Sequence, residues 1–195
     1  MKEYETGKSC TFKVLKDRAN RIGNALRAMG LNKGDRVGIL SQNSFEYMES
    51  ILSIPSAGFI FVPVNFRLAA SEMAGVLSDA VPLILMVDHQ YTGIVGQIKN
   101  TIPFVKNFIF TGPKDKMPEG WYAYEELISN ASPEDPDIDV LENDLATLMY
   151  TSGTTGLPKG VMQTHENLYH CGRTCSFNNR IETNDTGFTI CPMYH

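Results

Sequence analysis

The chain lacks the long apolar and strongly basic segments that would direct it to a membrane or to nucleic acid. Of its 195 residues, 43% are hydrophobic and 20% are charged, and the formal net charge is −5. The most apolar stretch, Ser56–Val64, is interrupted by Gly58 and Pro63 and is much shorter than the roughly 20 residues of a membrane-spanning helix. No cluster of lysine and arginine predicts nucleic acid as a partner. A secretory leader pattern is also absent, so we predict a cytoplasmic globular protein.

Cysteine is scarce as well, which excludes a disulfide-stabilised scaffold for a chain of this length. The four cysteines are Cys10, Cys171, Cys175 and Cys191. Cys171 and Cys175 are four residues apart, with His165 and His170 nearby, and this spacing raises the question of a metal site. A zinc site needs a second Cys/His pair at suitable spacing, which the sequence does not offer. We therefore interpret these side chains as structural and predict no metal ligands from this chain.

Apolar periodicity alternates along the chain between a helical and a strand pattern. Residues 11–29 place Leu15, Ile22 and Leu26 on one helical face, with Thr11 as N-cap and Gly30 just beyond the C-terminus. Alternating strands and helices predict an α/β fold in which repeated β–α units form a mostly parallel sheet. Further helices are predicted at 44–52, 72–78 and 91–100, and strands at 36–41, 59–64, 82–87, 107–111 and 145–149.

Two segments qualify this pattern. Pro55 is expected to end or kink the second helix early, because proline lacks the backbone N–H of a helix interior. Residues 132–144 contain six acidic residues and two prolines. We interpret that segment as a solvated crossing that delivers the chain to the strand at 145–149.

The most informative stretch is residues 150–160, YTSGTTGLPKG, which follows that strand. Its glycines allow a close backbone approach to a ligand, and its N–H and hydroxyl groups can surround an anion. Lys159 adds a positive charge. The register fits neither the Walker A motif nor the dinucleotide pattern G-x-G-x-x-G. A phosphate-binding loop is therefore predicted, and a flexible polar turn between two strands is the alternative.

This segment resembles the signature of the acyl-adenylate-forming enzymes, most closely the fatty-acid and other acyl-CoA synthetases. The resemblance covers nearly the whole chain and is supported by residues 18–21, 30–31, 34–37, 58–65, 144–149, 160–162, 165–168 and 192–195. The family's Gly-Tyr-Gly-x-Thr-Glu segment, its ribose-binding Asp and its late catalytic lysine are not among the 195 residues. The resemblance therefore implies that residues 1–195 are part of an N-terminal AMP-binding domain and are inactive alone.

The resemblance also implies substrates and site residues. ATP, Mg²⁺ and coenzyme A are expected, with a carboxylic acid as the substrate, and the acid expected is a fatty acid. His195 is expected beside the adenylate and the acyl pocket. Two alternatives are an adenylation domain that loads a carrier-protein thiol and a non-catalytic nucleotide-binding remnant. An exposed sheet edge is expected to cause self-association. The residues expected to bind the ATP phosphates are Thr151, Ser152, Gly153, Thr154, Thr155, Gly156 and Lys159.

Overall fold

The computed structural model describes residues 1–4, 6–151 and 158–194, which form a sheet covered by helices on both faces. The helices are α1 Phe12–Ala28, α2 Phe45–Ser56, α3 Ala70–Ala80, α4 Thr92–Ile98, α5 Tyr124–Asn130 and α6 His165–Asn178. The strands are β1 Arg36–Leu40, β2 Ile60–Pro63, β3 Ile84–Asp88, β4 Asn107–Thr111, β5 Tyr122–Ala123, β6 Leu145–Thr151 and β7 Lys159–Thr164. None of the helices in the described ranges is long and apolar enough to span a membrane.

The seven strands lie in the order β5-β4-β3-β1-β2-β6-β7. Every neighbouring pair is parallel except β6 and β7, which are antiparallel. This confirms the predicted mostly parallel α/β sheet. Because β1, β2 and β6 run in one direction, their carboxyl ends lie along one edge of the sheet. This edge is termed the carboxyl edge, and in α/β proteins it is where ligands bind.

Alternate residues of the central strands pack against helices on opposite faces. Ile84 and Met86 of β3 join the buried cluster beneath α1, α2 and α5. Leu85 and Val87, which alternate with them, join the cluster beneath α3 and α4. The central strands are therefore buried on both sides, as their nearly continuous apolar sequences require.

Helix α1 ends where its sequence predicts, to within a residue or two. The Thr11 hydroxyl accepts a hydrogen bond from the backbone N–H of Val14 at 3.3 Å, which satisfies one of the free donors at the N-terminus. Gly30, with φ of +92°, reverses the chain after the last turn. Leu15, Ile22 and their neighbours on the predicted apolar face are buried.

The prediction that Pro55 ends or kinks α2 early is wrong, because the helix continues to Ser56. Pro55 lies in the last turn, where the missing N–H removes only one intrahelical hydrogen bond. The chain leaves the helical path of α2 at Gly58, whose φ is +76°. Beyond it, the N–H of Phe59 donates to the carbonyl of Ile54 at 3.0 Å and closes the helix end.

The acidic segment 132–144 is solvated at its side chains, but its backbone is attached to α1. Asn24 donates from Nδ2 to the carbonyls of Ser132 at 3.0 Å and Glu134 at 2.9 Å. Arg27 donates to the carbonyl of Pro136, which is itself buried. The interpretation of a simple solvated crossing is therefore incomplete, since the segment packs across a helix before it enters β6.

Candidate nucleotide-binding site

The predicted phosphate loop connects the two strands of an antiparallel hairpin. Thr151, the last residue of β6, pairs with Lys159, the first residue of β7. The loop between them therefore begins and ends at a fixed pair of residues on the carboxyl edge. Ser152, Gly153, Thr154, Thr155 and Gly156 fall outside the described residues, as does His195.

The base of this hairpin is packed around Gly160, which pairs with Tyr150. A Cβ atom added to Gly160 would lie 2.9 Å from Cδ1 of Leu148 and 3.2 Å from Cζ of Tyr150. Such distances are shorter than ordinary van der Waals contact, so the tyrosine ring occupies space that only glycine leaves open. The third glycine of the motif is therefore explained by packing in the hairpin.

The Tyr150 ring also attaches the hairpin to the body of the protein. Its hydroxyl donates to Oδ2 of Asp79, near the C-terminus of α3, at 2.6 Å. Burial raises the pKa of Tyr150, and the hydrogen bond to the Asp79 carboxylate raises it further. The phenol therefore stays protonated and remains a donor at neutral pH.

Both residues at the base of the loop have exposed side chains. Within the described part of the chain, Lys159 forms no ion pair, although several other lysines do. An exposed, uncompensated cation beside a glycine- and hydroxyl-rich loop is chemically suited to a triphosphate. The residues present therefore fit ATP, and Lys159 and the Thr151 hydroxyl are the described groups that would face its phosphates.

The segment preceding His195 reaches the same edge of the sheet. Asn43, three residues beyond the end of β1, donates from Nδ2 to the carbonyl of Cys191 at 2.8 Å. Its Oδ1 accepts from the N–H of Met193, also at 2.8 Å. Strand β2 alone separates β1 from β6, so the ends of β1 and β6 are about 10 Å apart at ordinary strand spacing.

Tyr194 is held against the body of the protein by aromatic packing. It is 4% exposed, and its ring meets that of Phe66 edge to face at 5.1 Å between centroids. Phe66 follows β2 along the chain. The residues just before His195 thus lie above the ends of β1 and β2, next to the strand that carries the loop.

The histidines interpreted as structural lie elsewhere. His165 begins α6 at the far end of β7, which is the opposite edge because β7 is antiparallel to β6. Burial lowers its pKa, so the imidazole is held neutral. Cys171 and Cys175 are exposed on α6. Across 1–4, 6–151 and 158–194, no three metal-ligating side chains form a group suited to a metal ion.

Sequence reasoning missed two residues that position this site. Asn43 holds the segment before His195, and Asp79 holds Tyr150. An asparagine directly after a buried parallel strand is a usable signal, because that position is on the carboxyl edge. Asp79 gives no such signal, since an acidic residue near a helix end is common on solvated surfaces.

Comparison with known proteins decides the family. The sequence profile described as AMP-binding enzyme matches residues 2–195. The chain belongs to this family. It is 33% identical to the long-chain-fatty-acid–CoA ligase of Thermus thermophilus over 95% of its own length and 34% of that protein. The feruloyl-CoA synthase of an Amycolatopsis species is 32% identical over 97% of this chain and 35% of that protein.

Solved structures agree with the fold. ATP-bound MatB from Rhodopseudomonas palustris superposes with a TM-score of 0.84 at 30% identity, over 98% of this chain and 37% of that chain. The chain spans about a third of the length of the curated relatives it matches. It is therefore similar to one portion of these ligases, and the resemblance drawn from the loop motif is confirmed at the level of the family.

Proposed function

We propose that residues 1–195 are part of the N-terminal AMP-binding domain of an AMP-forming acyl-CoA synthetase. The observation that carries this proposal is the β6–β7 hairpin, in which Thr151 and Lys159, the residues that flank the glycine- and hydroxyl-rich sequence, pair at the carboxyl edge of the sheet. Relatives named as CoA ligases support the same assignment. The cytoplasm is the compartment we propose for it.

The chemistry has two steps. A substrate carboxylate, already ionised at neutral pH, attacks the α-phosphorus of ATP, and pyrophosphate leaves with the electrons of the broken P–O bond. The thiol of coenzyme A then attacks the carbonyl carbon of the acyl-adenylate, and AMP leaves. Such transfers depend mainly on positioning and on stabilisation of charge.

Each predicted site residue has a role in these steps. The backbone and hydroxyl groups of 151–156 would donate to the β- and γ-phosphates, and Lys159 would neutralise part of their charge. Mg²⁺ would supply a hard cation that offsets the charge of the phosphates, and this chain contributes no side-chain ligand to it in our proposal. His195 would lie beside the adenylate and the acyl group, since its neighbours are fixed at the same edge.

A fatty acid is the substrate that we propose. A long-chain and a medium-chain fatty-acid–CoA ligase are among the similar proteins. Aromatic acids are the main competitors, because a feruloyl-CoA synthase is similar to a comparable degree. A panel of fatty, hydroxycinnamic and benzoic acids, run on the chimera described below and on the unmodified Thermus thermophilus ligase, shows whether residues 2–195 change the preference among these classes.

The decisive experiment uses a chimera in which residues 2–195 replace the matching third of the Thermus thermophilus ligase. We expect carboxylate-dependent pyrophosphate exchange and CoA-dependent release of AMP. Exchange without CoA-dependent release, restored by a carrier-protein thiol, would favour an adenylation domain.

Direct binding to the 195-residue chain gives a second measurement. Isothermal titration with MgATP should show binding and no turnover, because three family site residues are missing from this chain. Failure of the chain to bind ATP, together with an inactive but folded chimera, would refute the proposal.

A further inference from the structure

We propose that Asn43 is a positioning residue of the adenylation site. Its carboxamide fixes the backbone of Cys191–Met193 at the carboxyl edge and thereby sets the point from which His195 reaches the reacting groups. The pair of hydrogen bonds from Asn43 to this segment is termed the Asn43 clamp. The catalytic consequence depends on the proposed function, whereas the clamp itself does not.

The Asn43 clamp uses both halves of one carboxamide. Nδ2 donates to the Cys191 carbonyl, and Oδ1 accepts from the Met193 N–H, each at 2.8 Å. The carboxamide of asparagine carries a donor and an acceptor on one planar group. An aspartate could accept from Met193 but could not donate to Cys191. The arrangement therefore fixes the orientation of the segment as well as its distance from β1.

The base of the clamp is itself held in place. Asn43 lies in the four-residue connection, 41–44, between the end of β1 and the start of α2. On one side, Ser41 is 3% exposed. On the other, the Ser44 hydroxyl caps α2 by accepting from the N–H of Tyr47 at 3.0 Å. A strand end and a capped helix therefore hold the backbone of Asn43 on both sides, while its side chain is exposed and reaches the segment.

The preceding chain does not fix the position of the segment. Residues 179–190, which follow α6, are exposed throughout. Phe188 and Ile190 are 74% and 78% exposed, so even the large apolar side chains there are not packed. Contact with the body of the protein resumes at Cys191–Met193, where the Asn43 clamp acts.

The surface beneath the segment is apolar. Met193 packs against the cluster that contains Tyr47 and Phe61, and Tyr194 packs against Phe66. The Tyr47 side chain is 1% exposed, and its hydroxyl has no hydrogen-bond partner among the described residues. Apolar contacts allow sliding, because they are not directional. The Asn43 clamp adds two hydrogen bonds of fixed direction to these apolar contacts.

The test is histidine NMR on the 195-residue chain. It has four histidines, so ¹³C-labelled imidazoles give four signals that single His→Gln variants assign. We expect Asn43→Ala to move the chemical shift of the His195 signal toward that of a short peptide. The signals of His89, His165 and His170 should remain in place. Asn43→Asp, which keeps one acceptor, should give an intermediate change.

Asn24→Ala is the matched control. Asn24 also uses its carboxamide to hold a distant backbone segment, at Ser132 and Glu134, but on α1. The Asn24→Ala variant should lower the free energy of unfolding without moving the His195 signal. An unchanged His195 signal in Asn43→Ala, or an equal change in Asn24→Ala, would overturn the Asn43 clamp.

The active chimera tests the catalytic consequence. We expect Asn43→Ala to lower kcat for adenylation about ten- to a hundredfold through misplacement of a reacting group. The KM for ATP should change less than about twofold, because the predicted phosphate loop belongs to the β6–β7 hairpin and not to the connection that carries Asn43. An unchanged kcat would overturn the positioning role. Loss of ATP binding by the unmutated chain would refute the proposed function and leave the NMR result on the clamp intact.

Discussion

At the scale of single residues, Lys159 is the described group that most directly reports on phosphate binding. Its side chain is exposed at the base of the loop. We expect Lys159→Ala to weaken MgATP binding about tenfold, which equals about 1.4 kcal/mol, because one charge-assisted contact is lost. Titration calorimetry at two salt concentrations measures the effect, which should shrink at high salt.

Lys106→Ala is the control for Lys159→Ala. Lys106 is also exposed, but it lies just before β4, at the opposite edge of the sheet. Its removal should leave ATP affinity within about twofold of the original value. An equal loss of MgATP affinity in both variants would show that the net charge of the protein, and not the position of Lys159, attracts the nucleotide.

Gly160 allows a second residue-scale prediction, on stability. A methyl group there meets Leu148 and Tyr150 at 2.9 and 3.2 Å, so Gly160→Ala should lower the free energy of unfolding by about 1–3 kcal/mol. Urea denaturation measures it. Gly172→Ala is the control, since Gly172 lies within α6 with no atom within 4 Å of an added Cβ. Gly172→Ala should stabilise the helix slightly. A lower free energy of unfolding in both variants would contradict the explanation that Gly160 is required by close packing.

At the scale of elements, α1, α2 and α5 meet around a buried carboxylate. Glu49 on α2 is 0% exposed. It is paired with Arg18 on α1 and accepts a hydrogen bond from the Tyr124 hydroxyl on α5 at 2.7 Å. A carboxylate in this position is tolerated because both partners are present, and loss of either would leave it buried and undercompensated.

This contact makes stability depend on pH in the alkaline range. Burial, and then the charge of Glu49, raise the pKa of Tyr124 well above 10.0, while Arg18 opposes part of the effect. The unfolded chain loses this proton near pH 10 and the folded chain keeps it. The free energy of unfolding should therefore fall as pH rises above about 10, by about 1.4 kcal/mol per pH unit from this residue.

Urea denaturation between pH 8 and 11 measures that slope. Tyr124→Phe should be less stable at pH 8 and should lose stability less steeply above pH 10. Tyr122→Phe, at a 43% exposed position, should keep the original slope. Parallel curves for the original chain and Tyr124→Phe would show that Tyr124 titrates in the folded state as it does in the unfolded one.

The elements that sequence predicted are those with their own periodicity or end signals. Strand β4 has the predicted bounds, and α1 has both predicted caps. Strand β5 has two residues and forms by pairing with β4, so no local pattern marks it. Strand β7 was missed because its sequence, KGVMQT, shows no alternation, and its side chains are mostly exposed or half-exposed.

The candidate site likewise has parts that a local sequence signal predicts and parts that depend on the folded chain. The motif predicted where the phosphate loop lies, because glycines, hydroxyls and a lysine are a local signal. The contacts that position the site join residues far apart in sequence. Asn43 and Cys191 are separated by 148 positions, and Tyr150 and Asp79 by 71. Such pairs depend on the folded arrangement of the sheet and cannot be obtained from periodicity.

At the scale of the whole molecule, the sheet ends in an unprotected strand next to an uncovered helix. Strand β7 has a neighbour on one side only. Val161 and Met162 on it are 44% and 65% exposed. Helix α6 has no buried residue in its described length. The strand carries one charged side chain, Lys159, and no proline, so little opposes pairing with another strand.

We therefore expect this chain to self-associate through β7. Antiparallel pairing of two copies about the centre of β7 would place Val161 opposite Met162 and Lys159 opposite Thr164, so no like charges would face each other. Light scattering during size-exclusion chromatography should show a mass that rises with concentration.

Val161→Lys should restore a monomer, because a charge on an edge strand opposes pairing. Val14→Lys on α1 is the control, since Val14 is also 44% exposed, and it should leave the association unchanged. A monomer at all concentrations would show that β7 is protected in solution.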